Sequence, residues 1–255
     1  METAIQSFLE RTLVLIPAFN EEASLPGLLA EVRTELPGAA VTVVDDGSAD
    51  GTAAVARACG ARVLRLPCNL GVGPAVQTGF KDALESGYDY LLRLDGDGQH
   101  PPAEARKLVA AMLERPTDLV VGTRYGAAST YRGNWPRQLA LKGLALFVSF
   151  ICHKRITDPT SGFWLVARPL LQCFALHYPS DYPEAEAIAL LRRQGFALEE
   201  VPVAFRPRQA GRSSIRAWGS LNFAAKVFLA LFVDRLRRVD PHGSAAVIKS
   251  KGAAR

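Results

Sequence analysis

Short β-branched runs alternate with longer amphipathic stretches through the first half of the chain. Leu13–Pro17, Val41–Asp45, Arg62–Leu66, Tyr90–Asp95 and Leu119–Gly122 have strand length and apolar character. Between them, Ala23–Glu35, Thr52–Cys59, Pro74–Ser86 and Pro102–Arg115 carry helical periodicity. Strands alternating with helices predict right-handed crossovers, a mainly parallel sheet and an α/β fold. Ligands of such sheets bind beyond the carboxyl ends of the strands. Asn20-Glu21-Glu22, Asp45-Asp46-Gly47-Ser48 and Asp95-Gly96-Asp97 all fall at that edge. Three acidic clusters are thus expected to converge on one rim.

The second half changes character. Leu139–Cys152 and Glu184–Gln194 read as helices, and Gly162–Ala167 and Ala197–Val203 as strands. Ile215–Arg238 has a helical pattern, with Ile215, Trp218, Leu221, Phe223, Val227, Phe228, Leu231 and Phe232 forming an apolar stripe. Residues 1–214 are expected to form one domain, 215–240 an amphipathic helix and 241–255 a disordered basic tail. The longest apolar runs, Leu144–Cys152 and Val227–Val233, fall short of the roughly 20 residues a span needs. Lys142 and Lys226 interrupt their extensions, so no transmembrane helix is predicted. The first residues lack a basic region before an apolar run cut by Pro17, and no signal peptide is expected.

Composition adds a charge asymmetry. The 255 residues are 49% hydrophobic and 22% charged, which excludes a disordered or collagen-like chain. Residues 1–100 carry seven Lys and Arg against fourteen Asp and Glu; the remainder carries 23 against 11. An acidic front half suits a cation, and a basic back half suits phosphate or an anionic surface. Between Arg206 and Arg238 there are eight basic residues and one acidic residue, Asp234. Without a recognised DNA-binding motif or an aromatic-studded basic sheet, nucleic acid is not an expected partner. Cys59, Cys68, Cys152 and Cys173 form no C-x-x-C pair and fit a reducing, cytoplasmic compartment.

The rim residues suggest specific chemistry. Asp95 and Asp97, one residue apart past a strand, can share a divalent cation, and Gln99 can add a carbonyl oxygen. Such oxygen ligands suit Mg²⁺ or Mn²⁺. The same residues also fit a solvated turn. Asp45 and Asp46 can accept hydrogen bonds from a base or ribose, while Ser48 or Asp50 serves the following helix as a cap. Gly71 and Gly73, in Asn69-Leu70-Gly71-Val72-Gly73, precede a helix whose free N–H groups suit a phosphate, although glycine also serves any tight turn. His100 beside Pro101 reads as a loop residue.

Leu15-Ile16-Pro17-Ala18-Phe19-Asn20-Glu21-Glu22, Val44-Asp45-Asp46-Gly47-Ser48, the Asn69–Gly73 loop, Asp95-Gly96-Asp97-Gly98-Gln99 and Gly122-Thr123-Arg124 together resemble the ordered signature of family 2 glycosyltransferases. The resemblance covers about residues 12 to 215 and implies a GT-A fold and inversion at the sugar. Asn134-Trp135-Pro136-Arg137, Asp158-Pro159-Thr160-Ser161-Gly162-Phe163 and Arg208-Gln209-Ala210-Gly211-Arg212-Ser213 further resemble the polyprenyl- and dolichol-phosphate mannose synthase group. That resemblance implies metal binding at Asp95, Asp97 and Gln99. It implies nucleotide contacts at Pro17, Ala18, Asn20, Glu22, Asp45 and Asp46, and phosphate contacts at Arg124, Arg137, Arg208 and Arg212. Two positions depart from the group: Leu141 stands where it places a Ser, and Gly96 where it more often has Ala.

The expected reaction moves a sugar from a nucleotide diphosphate donor to a polyprenyl phosphate, with charge on the leaving diphosphate offset by a cation held at Asp97. A hydroxyl acceptor, on a polysaccharide or lipid-linked glycan, instead needs a carboxylate base, for which Glu184 and Glu186 are the candidates. Both also fit first-turn carboxylates favoured by a helix dipole. Asp158 and Ser161 are expected at the active site, although Asp158 before Pro159 also suits turn initiation. A nucleotide-sugar-binding module without turnover is the further alternative, against which the paired Asp95 and Asp97 argue. The apolar stripe and its flanking arginines predict peripheral contact with the cytoplasmic face of a membrane; packing on the protein itself is the alternative.

Overall fold

The computed structural model describes residues 2–125 and 135–207, and only the backbone of residues 135–137. The Ile215–Arg238 helix, the tail, Arg208 and Arg212 therefore lie outside the described residues. Strands β1 (Thr12–Ala18), β2 (Ala40–Asp45), β3 (Arg62–Arg65), β4 (Tyr90–Arg93), β5 (Leu119–Thr123), β6 (Trp164–Ala167) and β7 (Leu198–Pro202) form one sheet. Their spatial order is β3-β2-β1-β4-β6-β5-β7. Every neighbouring pair is parallel except β4–β6 and β5–β6. The α/β class and the mainly parallel sheet are as the sequence predicts.

Strand alternation divides the core. Leu13 and Leu15 face one side of β1 while Val14 and Ile16 face the other, so one buried strand feeds both layers. The first layer holds α4 (Val72–Glu85), α6 (Trp135–Cys152), α7 (Arg168–Leu176) and α8 (Pro183–Arg193). Phe80, Val148, Phe174 and Ile188 are its fully buried contributions. The second layer holds α1 (Glu2–Leu9), α2 (Leu25–Glu35), α3 (Thr52–Ala58) and α5 (Pro102–Glu114), through Phe8, Leu28, Ala56 and Leu108. Helices α1 and α7 are not anticipated from the pattern, and α6 begins four residues before the predicted Leu139. No helix among the described residues is long and apolar enough to cross a membrane.

The antiparallel β6 matters for the site. Its first residue, Trp164, pairs with Arg93 and Val121, near the carboxyl ends of β4 and β5. The 157–163 segment that feeds β6 therefore arrives at the rim where the parallel strands end. A parallel β6 would have put this segment at the opposite edge.

Candidate active site

On the β1–β2 side, three loops are tied to one another. Asn20 takes a left-handed backbone, φ 55°, which Asn tolerates better than most residues. Its N–H donates to Ser48 Oγ at 2.9 Å, and its Oδ1 accepts from Ala49 N at 2.9 Å. Glu22 Oε2 accepts from Gly51 N at 2.9 Å. Asp50 Oδ1 accepts from Thr52 N at 3.0 Å, at the first turn of α3. Burial opposes ionisation of Asp50, but its hydrogen bonds with Thr52 and Glu22 outweigh it and lower the pKa.

Asp45 is fully buried, with Oδ1 accepting from Ser48 N at 2.9 Å. Its Oδ2 lies 3.2 Å from Arg65 Nε, an ion pair outside hydrogen-bond geometry, so this buried oxygen has no hydrogen-bond partner. Asp46 accepts from Leu70 N at 2.8 Å and Gly71 N at 2.9 Å. Two N–H groups that the sequence offers to a phosphate are thus engaged by Asp46. Gly47, at φ +70°, makes this possible: a Cβ there would come within 2.5 Å of the Cys68 carbonyl carbon. Gly73 abuts the chain before α8, where a Cβ would meet Pro179 O at 2.6 Å. Pro17 and Ala18 end β1, and Ala18 O accepts from Asp46 N at 2.9 Å.

Beyond β4 the acidic pair sits over a buried cation. Arg93, which the sequence pattern does not single out, is 2% exposed and donates from Nη2 to Glu184 Oε1 at 2.8 Å and to Asp95 Oδ1 at 3.3 Å. Its guanidinium lies 5.8 Å from the Trp164 ring centroid. Burial alone would lower the Arg93 pKa, but Asp95 and Glu184 more than reverse this, and it stays charged. Glu184 is thereby an ion-pair partner on α8 that steadies the β4 rim. Glu186 Oε1 accepts from Tyr182 N at 3.1 Å, which caps the start of α8.

His100 lies in the loop between β4 and α5, as the sequence predicts, but the loop buries it. It is 3% exposed, stacked on Phe163 with centroids 4.9 Å apart, and its Nδ1 accepts from Asp95 N at 3.0 Å. Burial pushes its pKa down to about 4, helped by Arg93 and Arg124 and opposed by Asp95. A neutral ring thus fixes the backbone at Asp95. Asp97 is 5% exposed, and its Oδ1 accepts from Gln99 N at 3.0 Å. Asp95, Asp97 and Gln99 offer oxygen donors of the kind that a hard cation takes. Among the described residues no three His, Cys, Asp or Glu gather round a metal. Two carboxylates completed by substrate phosphates are the usual Mg²⁺ arrangement.

A second charged cluster follows β5. Arg124 forms a fork with Asp158, Nε to Oδ2 at 2.8 Å and Nη2 to Oδ1 at 2.7 Å. Asp158 is 1% exposed and also accepts from Arg124 N at 3.1 Å. Thr160 Oγ1 accepts from Arg124 Nη2 at 2.6 Å. Ser161 is buried, donating to Gly122 O at 2.6 Å, so its hydroxyl anchors the loop. The guanidinium that the sequence offers to phosphate is therefore already in a bidentate pair with a carboxylate. Arg137 lies in the first turn of α6, where only its backbone is described.

The chain matches the model of glycosyl transferase family 2 over residues 13–174. It is 35% identical over 217 residues to the polyprenol monophosphomannose synthase of Mycolicibacterium smegmatis, covering 81% of each chain. It is 33% identical over 215 residues to the undecaprenyl-phosphate mannosyltransferase of Micrococcus luteus, covering 80% of this chain and 87% of that one. In three dimensions it resembles the glucosyl-3-phosphoglycerate synthase of Mycobacterium tuberculosis, solved with Mn²⁺, uridine diphosphate and glucosyl-3-phosphoglycerate. The TM-score is 0.69 at 23% identity, over 91% of this chain and 83% of that one. This likeness is one of fold, and the sheet is of GT-A type.

Proposed function

The chain belongs to glycosyl transferase family 2, and from that premise we propose that it moves a sugar, with inversion, from a nucleotide diphosphate to a polyprenyl phosphate at the cytoplasmic face of a membrane. The names of its relatives favour mannose as that sugar. One observation carries the choice of acceptor: both candidate bases have structural partners. Glu184 is paired with the buried Arg93, and Glu186 caps its own helix. Drawing Glu184 away to serve an acceptor would take one of the two carboxylates from the buried guanidinium of Arg93. An acceptor phosphate is already ionised at neutral pH and needs no base, only positioning.

Each cluster then has a task. Asp45, whose buried Oδ2 has an ion-pair partner but no hydrogen bond, and the loops around Asn20, Glu22 and Asp46 hold the nucleoside end of the donor. Asp95, Asp97 and Gln99 would hold Mg²⁺ or Mn²⁺, which when bound offsets charge on the departing diphosphate. Arg93 and His100 keep Asp95 in place beneath it. Arg137, Arg208 and Arg212 orient the acceptor phosphate, which guanidinium groups match as forks, and Arg124, whose own fork stays on Asp158, adds its positive charge beside them. The acceptor approaches opposite the leaving group, which inverts the sugar.

Helix α6 supports the membrane placement. Leu144, Val148 and Cys152 are buried on one face, whereas Leu139, Leu146 and Phe150 on the other are 64%, 73% and 72% exposed. Exposed His153, Lys154 and Arg155 follow at its end. An apolar face with basic flanks suits an interface with anionic lipid. The reading is tested by incubating purified protein with labelled nucleotide mannose, Mn²⁺ and polyprenyl phosphate. An acid-labile labelled lipid is expected. Transfer only to a glycan hydroxyl, or donor binding without turnover for either acceptor, would overturn it.

A further inference from the structure

We infer that Glu200, on β7, is a positioning residue that holds Arg124 in place through the Asp158 segment. The inference deepens the acceptor reading above and rests on Arg124 facing the acceptor phosphate. Strand β7 pairs in parallel with β5, placing Glu200 opposite Val121, three residues before Arg124. The carboxylate of Glu200 reaches across to the segment that leads into β6. Its Oε1 accepts from Thr157 N at 2.9 Å and from Asp158 N at 3.0 Å, and its Oε2 also lies 2.9 Å from Thr157 N. Thr157 is tied in turn to Thr123, Oγ1 to Oγ1 at 2.8 Å.

The next link is Asp158, whose two oxygens take the Arg124 fork. A continuous chain of charge-assisted hydrogen bonds thus runs from β7 to the guanidinium. Burial opposes ionisation of Glu200 and raises its pKa, and the nearby Asp158 carboxylate adds to that cost. Packing alone would be better served by an apolar residue. What Glu200 supplies is two fixed acceptors for adjacent backbone N–H groups, which set the height and direction of the Asp158 carboxylate. Asp158 without that support still attracts Arg124, but over a wider range of positions. A misplacement of an orienting group by about 1 Å is enough to cost roughly 10²-fold in rate.

Three variants of the full chain test this. In Glu200→Gln the amide oxygen can take the Oε1 place and accept both N–H groups, while the NH₂ loses the second acceptor that Oε2 gives Thr157 N. Glu200→Asp keeps the charge but withdraws it by one methylene, and Glu200→Ala removes both acceptors. Two readouts apply: the rate of phenylglyoxal modification of Arg124, by peptide mass spectrometry with exposed Arg11 as internal control, and KM for acceptor against KM for donor. Values for Glu200→Gln are expected closer to wild type than those of the other two variants. For Glu200→Asp and Glu200→Ala, Arg124 modification is expected several-fold faster and acceptor KM roughly tenfold or more higher, with donor KM unchanged. Unchanged Arg124 reactivity in folded Glu200→Asp, or a fall in thermal stability with both KM values intact, overturns the inference. Should Glu200→Ala fail to fold, the contrast between Gln and Asp remains decisive. If the wild type makes no lipid product, the acceptor reading fails, while the modification rates still judge Glu200 independently.

Discussion

At the residue scale, the site depends on side chains whose neighbours give them a role that their identity does not. Arg93 is the clearest case. It is enclosed by Asp95, Glu184, Tyr178 and Trp164, and a guanidinium there balances two carboxylates. Replacing it by Met leaves those carboxylates facing each other without a cation. We expect Arg93→Met to lose about 3–5 kcal/mol of stability, the usual result of breaking a buried pair, as measured by urea unfolding. Arg93→Lys keeps the charge and is expected to recover part of the loss. Equal stability of Arg93→Met and wild type would show the cluster to be energetically idle. Gly47 gives a second prediction. Its φ of +70° and the 2.5 Å approach of Cys68 leave no room for a methyl group. Gly47→Ala is expected to cost about 1–3 kcal/mol and to weaken nucleotide binding, measured by thermal denaturation and calorimetric titration. A variant as stable as wild type with unaltered nucleotide affinity would mean that the Asp46 loop tolerates displacement.

At the scale of elements, the apolar runs were legible because burial on both faces of a parallel strand demands them. Helix α1 buries only Ile5, Phe8 and Leu9, a spacing too short to stand out in sequence. Helix α7 opens on Arg168-Pro169 and follows β6 without a loop, so its pattern merges with the strand. The antiparallel direction of β6 left no local mark, since strand polarity is set by pairing between distant segments. The acidic rim could be read, because carboxylates placed directly after buried strands cannot serve the core and gather at the open edge of the sheet. Arg93, His100 and Glu200 could not: a polar residue inside a strand or loop reads as solvent-facing until its partners from α8, β6 or the 157–163 segment are in place. Helix α6 carries the prediction belonging to this scale. Its inner face holds α8, while Leu146 and Phe150 are 73% and 72% exposed. Leu146→Glu with Phe150→Glu is expected to leave the melting temperature within a degree or two, since exposed substitutions cost little. Sedimentation with anionic vesicles is expected to fall several-fold. Unchanged sedimentation would remove α6 from the membrane contact.

For the whole molecule, the proposed function gives the division of charge a use. The first hundred residues carry a net −7 and supply the nucleotide loops and the acidic pair; the rest carries a net +12 and supplies Arg124, α6 and the basic 206–238 stretch. Donor capture depends on short, partly buried contacts at Asp45, Asp46, Asp95 and Asp97, of which all but Asp95 are less than a tenth exposed. The proposed membrane contact would depend on exposed charges acting through water. Salt discriminates between these, because exposed charges are screened beyond about 10 Å at 0.1 M ionic strength whereas buried pairs are screened far less. Raising the ionic strength from about 0.05 M to about 0.5 M is therefore expected to release the protein from anionic vesicles while retaining the stabilisation that nucleotide sugar and Mn²⁺ give in a thermal-shift assay. Asp97→Asn is expected to show the reverse, keeping its vesicle binding and losing the Mn²⁺-dependent part of that shift. If both properties decline together in salt, the donor site and the membrane face share one set of exposed charges, and the two halves of the chain do not divide the work.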